Sequence, residues 1–246
     1  MEQILEGNIS VKAAILGGHR HVVKILVDQK KHDKDTKFIL HRAKEKNIEI
    51  VFVNRESIDA FAQGSTHGGL IAICKKRTIE KLSQVANKHD LFFALVEGVE
   101  DPYNFGYVIR ALYAAGCDGL ITPKRNWTNA AGVVAKASAG ASEYISLIQA
   151  DDMNSIITEL NDLNVPLICA NRVADAQNLY TYRFPKRFCL AIGGEMRGLS
   201  SVVIKNAQQN IYIPYANDFR NAMSAASSAA ILSFEYLRQK HYHRNN

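Results

Sequence analysis

The stretch LFFALVEGVEDPYNFGYVIR, residues 91–110, decides how this chain is read. Its opening run, LFFALVEGV, is apolar apart from Glu97 and Gly98. A run this short and continuous is the pattern of a strand buried on both faces. Asp101-Pro102 then turns the chain, and Asn104 is placed to cap a helix over about 105–115. Gly106 and Arg110 stand four apart, on one face of that helix, and helical side chains lean towards the N-terminus. The guanidinium is therefore expected to pass over the glycine and reach the strand's end beside Asn104. A surface arginine paired with Glu97 or Asp101 explains the same residues equally well.

Working outward, helical and strand-like runs alternate along the whole chain, the habit of α/β domains. On the N-terminal side, NISVKAAIL reads as a helix stopped by Gly17-Gly18, HVVKILVD as a strand, DKDTKFILHRAKEKN as a helix, IEIVFVN as a strand, ESIDAFAQ as a helix and LIAIC as a strand. These make one unit over residues 1–77. TIEKLSQVANKHD is polar with a helical pattern, which predicts a helical connector over 78–89. A second unit, 90–246, continues with GLIT, an alanine-rich helix near 129–139, YISLI, a helix near 152–163, PLICA, FCLAIGG, a short helix near 200–207, IYIPY and a long closing helix. Its apolar strands predict a parallel sheet covered on both faces, and ligands of such sheets sit beyond the carboxyl ends of the strands.

Two more loops with unusual residues fall at that rim. In AIGGEMRGLS, residues 191–200, paired glycines follow a strand, where they let a ligand approach and offer backbone N–H groups. The loop matches neither the dinucleotide fingerprint nor the P-loop, which leaves a dehydrogenase or nucleotide hydrolase with little support. In IPYANDFRNAMSAASSAAILSFEYL, residues 213–237, small residues fill the first turns of an apolar helix. They admit a flat ligand or another backbone.

The chain's 246 residues carry 30 Lys plus Arg against 24 Asp plus Glu, a net +6 that suits a polyanionic partner. The four cysteines are scattered among apolar neighbours with no C-x-x-C pair, so they read as reduced, intracellular core residues. No segment has the length of a membrane span and the N-terminus lacks a secretory layout, so a cytoplasmic protein without a membrane partner is expected.

Taken together, EGVEDPYNFGYVIR, AGCDGLI, KASAGA at 136–141, LAIGGEMRGLS, and IYIPY with its polar turn resemble the SpoU/TrmH family of RNA 2′-O-ribose methyltransferases. THGGLIAI at 66–73 is similar to a marker strand of the small substrate-binding domain that many members carry. The resemblance implies a small L30e-like N-terminal α/β domain and a C-terminal α/β-knot methyltransferase domain, a trefoil-knotted, mainly parallel sheet that forms a homodimer. It implies S-adenosyl-L-methionine as methyl donor, no metal, and RNA as partner, with ribosomal RNA favoured over transfer RNA. Donor-binding positions carried over are Ile192, Gly193, Gly194, Gly198, Ile213, Met223 and Ser224. Arg110 matches the catalytic arginine. Asn104 would hold the loop or the arginine, and Glu195 would anchor Asn104 or the loop backbone. Asn221 and Ser224 occupy the polar catalytic positions of the third motif, with about one residue inserted between them relative to the family. Met196 replaces the glycine that usually follows the acid. His19, Arg20 and Lys24 read as either a solvated face or phosphate contacts, and Lys124 and Arg125 as groups that hold RNA near the donor. The competing readings are an RNA-binding or ribosome-assembly module that has lost the reaction, and a transfer-RNA enzyme.

Overall fold

Residues 2–62, 64–124 and 130–242 are described by a computed structural model. In chain order the elements run β1 (Gln3–Glu6), α1 (Gly7–Gly17), β2 (Val22–Asp28), α2 (Lys34–Glu45), β3 (Glu49–Val53), α3 (Arg55–Asp59), β4 (Leu70–Cys74), α4 (Leu82–Val85), β5 (Leu91–Glu97), α5 (Pro102–Ala114) and β6 (Gly119–Pro123). After them come α6 (Ala131–Ala137), a 3-10 turn (Ala141–Glu143), β7 (Ser146–Ala150), α7 (Met153–Asp162), β8 (Leu167–Ala170), β9 (Gln177–Asn178), β10 (Arg187–Gly193), α8 (Ser201–Lys205), β11 (Gln209–Tyr212) and α9 (Ala225–Tyr242).

These elements form two compact units. The first is Met1–Thr78 together with Asn126–Tyr144; the second is Ile79–Arg125 with Ile145–Asn246. The boundary read from the sequence is thus corrected at one segment. The alanine-rich helix α6 joins the first unit, because its apolar face completes a core there: Ala135 packs with Leu5, Val11, Ile15, Ile25, Ile39 and Leu70. Composition announces a helix but not which core takes it in. The expected helical connector holds only the short turn α4.

The first unit is a four-stranded sheet in the order β1-β4-β2-β3, with β2 and β3 parallel and the other pairs antiparallel. The strand β1 escaped the sequence pattern because four residues at a sheet edge give too short a run for a period to show. Arg20 lies inside this unit, 8% exposed. Its Nε donates to Glu143 Oε2 at 2.7 Å and its Nη2 to Oε1 at 3.1 Å. A buried guanidinium needs such a fork, since neither charge could be desolvated alone.

The second unit is a seven-stranded sheet in the order β7-β6-β5-β10-β8-β11-β9, and every pairing is parallel. All seven residues of β5 are buried, as a strand covered on both faces demands. Leu91, Phe93 and Leu95 face a core shared with Ile156, Ile157 and Leu160 of α7 and Val203 of α8. On the other face Phe92 stacks on Phe188 at 4.9 Å, and Tyr236 of α9 packs edge-on against both. The chain runs from β5 out to β6 and β7 on one side, while β10 and its neighbours lie on the other. The carboxyl end of β10, at this switch point, therefore marks the rim where sheets of this kind take ligands.

Candidate active site

The first loop leaves β5 through Glu97 and Gly98 and enters α5 at Pro102. Proline lacks an N–H and its φ is preset for a first helical position, so the cap is the residue before it. Asp101 takes that place, its carboxylate accepting from Asn104 N at 2.8 Å. Asn104 is therefore corrected from capping residue to member of the first turn. Arg110 lies on the solvent side of α5, in a stripe with the exposed Tyr103 and Tyr107. Neither suggested carboxylate pairs with it. Glu97 is buried and accepts from Ser200 N at 2.8 Å and Ser200 Oγ at 3.1 Å, while Asp101 is engaged in its cap. Among the described residues, Arg110 has no protein partner.

The second loop closes on the first through backbone. Gly194 N donates to Glu97 O at 2.8 Å, and Gly198 N donates to Gly194 O at 2.9 Å. A Cβ on Gly194 would lie 2.0 Å from Gly98 O, and one on Gly193 would lie 2.4 Å from the carbonyl carbon of Gly198. The paired glycines are thus required first by the approach of three backbones, and the Gly194 N–H expected to await a ligand is already bonded. Met196 is 96% exposed and is not among the residues that line the cavity described below.

The third loop is tied to the second by Glu195, whose Oε1 accepts from Ala225 N at 3.1 Å, at the start of α9. The contact is to the first residue of α9 and not to Asn104. Ser224 caps the same helix, its Oγ accepting from Ser227 N at 3.1 Å. Between the carboxyl ends of β8, β10 and β11 these loops leave a cavity of about 300 Å³. Ile192, Gly193, Gly194, Gly198, Ile213 and Met223, all read from the sequence as donor-binding, line it together with Glu195 and Asn221. Asn104, Arg110 and Ser224 are not among the lining residues.

The sequence reading missed part of the wall. Arg172, Tyr212, Tyr215 and Arg220 also line the cavity. Arg172 lies over the Tyr215 ring at 5.0 Å and donates to Phe219 O at 3.3 Å. The Tyr215 hydroxyl accepts from Met223 N at 3.2 Å. One available signal was the position of Arg172, two residues beyond the end of β8 and so at the same rim as the other loops.

A space of this size falls at the lower end for small organic ligands, and its wall divides about evenly between apolar and polar surface, more polar than is usual for such sites. Ile192, Leu199, Ile211, Ile213 and Leu232 offer an apolar slot for a flat heterocycle, while backbone edges, Glu195 and Arg172 supply polarity. The residues fit an adenosine-bearing donor. Among the described residues, no group of three His, Cys, Asp or Glu side chains is placed to hold a metal.

The residues read as phosphate contacts are distributed differently. Arg20 is corrected to a buried structural cation, as described above. His19 is half-buried, with Nε2 3.2 Å from Tyr144 O. Lys24 is half-buried on β2, and Lys124 pairs with Asp151 at 2.8 Å in solvent. Arg125 lies outside the described residues. A basic surface appears instead on α1 and α2. Residues 29–46 hold seven Lys and Arg against three Asp and Glu. There the exposed ring of Phe38 lies 4.9 Å from Lys12 Nζ and 5.9 Å from the Arg42 guanidinium carbon.

Comparison with known proteins bears on both units. Residues 91–234 match the SpoU rRNA methylase family, and residues 4–80 match the RNA 2′-O ribose methyltransferase substrate-binding family. A protein of Staphylococcus aureus (strain COL) named as a TrmH-family tRNA/rRNA methyltransferase is 30% identical over 246 residues, covering 98% of this chain and 97% of its own. The 23S rRNA (guanosine-2′-O-)-methyltransferase RlmB of Haemophilus ducreyi (strain 35000HP) is 25% identical, with 98% of this chain and 99% of its own covered. Among solved structures, the SpoU methyltransferase AviRb from Streptomyces viridochromogenes in complex with AdoMet shares the fold. Its TM-score is 0.82 at 18% identity, over 98% of this chain and 91% of that one.

Proposed function

The chain belongs to the SpoU rRNA methylase family, and from that premise we propose that it transfers a methyl group from S-adenosylmethionine to a ribose 2′-hydroxyl of RNA, with ribosomal RNA as the substrate class. The observation that carries this reading is the cavity at the carboxyl ends of β8, β10 and β11, whose wall includes six of the seven residues that match the family's donor-binding positions, Ser224 being the exception. When bound, the donor supplies an electrophilic methyl on a sulfonium. The chain's own residues supply position. The Gly98, Gly194 and Gly198 backbones set the shape of the rim, and Glu195 fixes the start of α9 beside it.

Arg110 is our candidate for the catalytic cation. A guanidinium keeps its proton at any physiological pH, so it does not act as a general base. It orients the ribose through a neighbouring phosphate and favours the alkoxide that develops as the hydroxyl attacks. Its lack of a carboxylate partner among the described residues supports that role. Asn104, Asn221 and Ser224 remain proposed polar contacts around the same reaction centre. The basic surface on α1 and α2 suits a phosphate backbone, and the relative named as a 23S rRNA methyltransferase supports ribosomal over transfer RNA.

A homodimer through the second unit belongs to the same proposal. The outer face of α5, which carries Arg110, also exposes Tyr103 and Tyr107, aromatic area of the kind that subunit contacts cover. So does the trefoil knot of the family fold, and so does a cytoplasmic setting, supported by four free, buried cysteines. No helix among the described residues is long and apolar enough to cross a membrane.

The test is to map 2′-O-methyl marks in RNA from cells lacking the protein, with the wild-type gene or Arg110→Ala restored. One mark that is lost, and returns only with the wild type, is the expected result. An unchanged map would favour a binding module that has lost the reaction, and loss confined to transfer RNA would reassign the substrate.

A further inference from the structure

We propose that Arg172 is a specificity-determining residue that binds the carboxylate of the donor's amino-acid arm, its guanidinium held in place for that purpose by the ring of Tyr215. The inference rests on the donor reading above and deepens it.

Among the described residues, three charged side chains line the cavity, Arg172, Arg220 and Glu195. Glu195 is engaged with the Ala225 N–H. Arg220 is 90% exposed and leans 3.8 Å from Asp218. Arg172 is exposed as well, but two contacts restrain it. It comes off the carboxyl end of β8, lies over the Tyr215 ring at 5.0 Å and donates one N–H to Phe219 O at 3.3 Å. Among the described residues no carboxylate pairs with it.

Tyr215 is in turn tied to the loop, its hydroxyl accepting from Met223 N at 3.2 Å. A guanidinium held over an aromatic ring and hydrogen-bonded at one nitrogen has fewer orientations open to it, and its free N–H groups keep the planar fork that a carboxylate accepts in bidentate fashion. Fixing the fork before binding lowers the entropy that a flexible side chain would lose on meeting its ligand.

The donor's chemistry supplies the counterpart. Adenosine is neutral and flat, suited to the apolar wall of Ile192, Ile211 and Ile213. The sulfonium and the amino group are cationic. The only anion on the molecule is its α-carboxylate, and among the described residues Arg172 is the wall cation that such contacts restrain. A phosphate of the RNA is the other anion that could reach this fork, so the experiment must separate the two.

Calorimetric titration of RNA-free protein with two ligands does so. S-adenosylhomocysteine carries the carboxylate, whereas 5′-deoxy-5′-methylthioadenosine keeps the adenosine and sulfur but lacks the amino-acid arm. Arg172→Ala is expected to weaken S-adenosylhomocysteine by about tenfold or more while leaving methylthioadenosine within about twofold, and Arg172→Lys to fall between. Equal weakening of both ligands would show that Arg172 only holds the loop and would overturn the assignment. Unchanged affinity for S-adenosylhomocysteine would also overturn it, and would point to RNA phosphate. If the wild-type protein bound neither ligand, the donor reading itself would fall and take this inference with it.

Discussion

At Gly194 the chain leaves no room for a side chain, because a Cβ there would sit 2.0 Å from the carbonyl oxygen of Gly98. Gly194→Ala must push two loops apart, and we expect it to destabilise the second unit by about 1–3 kcal/mol. A lowered denaturant midpoint with weakened S-adenosylhomocysteine binding would confirm this, and a wild-type midpoint would refute it. Arg110 makes the opposite case, an exposed side chain with no protein partner among the described residues, whose loss should not disturb the fold. Arg110→Ala is expected to keep the wild-type melting temperature and to bind S-adenosylhomocysteine within about threefold, while turnover on RNA falls at least about a hundredfold. Normal turnover would remove this residue from the mechanism. The glycines were legible in the sequence as a special turn. What they serve was not, since only folded backbones can show that Gly98, Gly194 and Gly198 crowd one another.

Elements here are fixed by a few polar ties at their ends. Glu143 follows α6 and receives both arms of Arg20, with the two side chains 2–3% exposed. Removing one partner leaves the other buried and uncompensated, so Glu143→Ala is expected to cost about 3–5 kcal/mol. Thermal melts should show the loss, and Arg20→Met with Glu143→Leu together should recover much of it. A single variant that melts like the wild type would show that water already reaches the pair. On α9, the Arg238 guanidinium, then Gln239, hold the Glu235 carboxyl below its ordinary value of 4.5 despite its burial. A lowered carboxylate pKa stabilises the fold above the unfolded value and ceases to do so as pH falls through the folded one. Glu235→Gln should therefore melt below the wild type at neutral pH, by no more than a few degrees, and the gap should close as pH drops through and below 4.5. A gap that persisted in acid would mean the side chain acts by packing alone. The sequence announced both helices. It did not announce their partners, because helical period reports which face is apolar and nothing about what that face meets.

For the whole molecule, the outer face of α5 bears on assembly. Light scattering is expected to give about twice 27.4 kDa, and Tyr107→Glu on that face to shift the mass towards one chain. A wild-type monomer at micromolar concentration would remove the proposed dimer. The buried strands, the parallel α/β plan of the second unit and the three rim loops could all be read from the sequence, because continuous apolar runs and glycine-rich turns are local signals of burial and of backbone conformation. Two short edge strands, β1 and β9, were invisible to the same reading. The tertiary structure alone decided three matters. It assigned α6 and Glu143 to the first unit, it turned Arg20 from a surface cation into an internal one, and it brought Arg172 and Tyr215 to the cavity wall. Each depends on residues far apart in the chain, such as positions 20 and 143, or 172 and 215. Spacing along a sequence carries no record of distance across a fold, and burial, pairing and cavity shape are set by that distance.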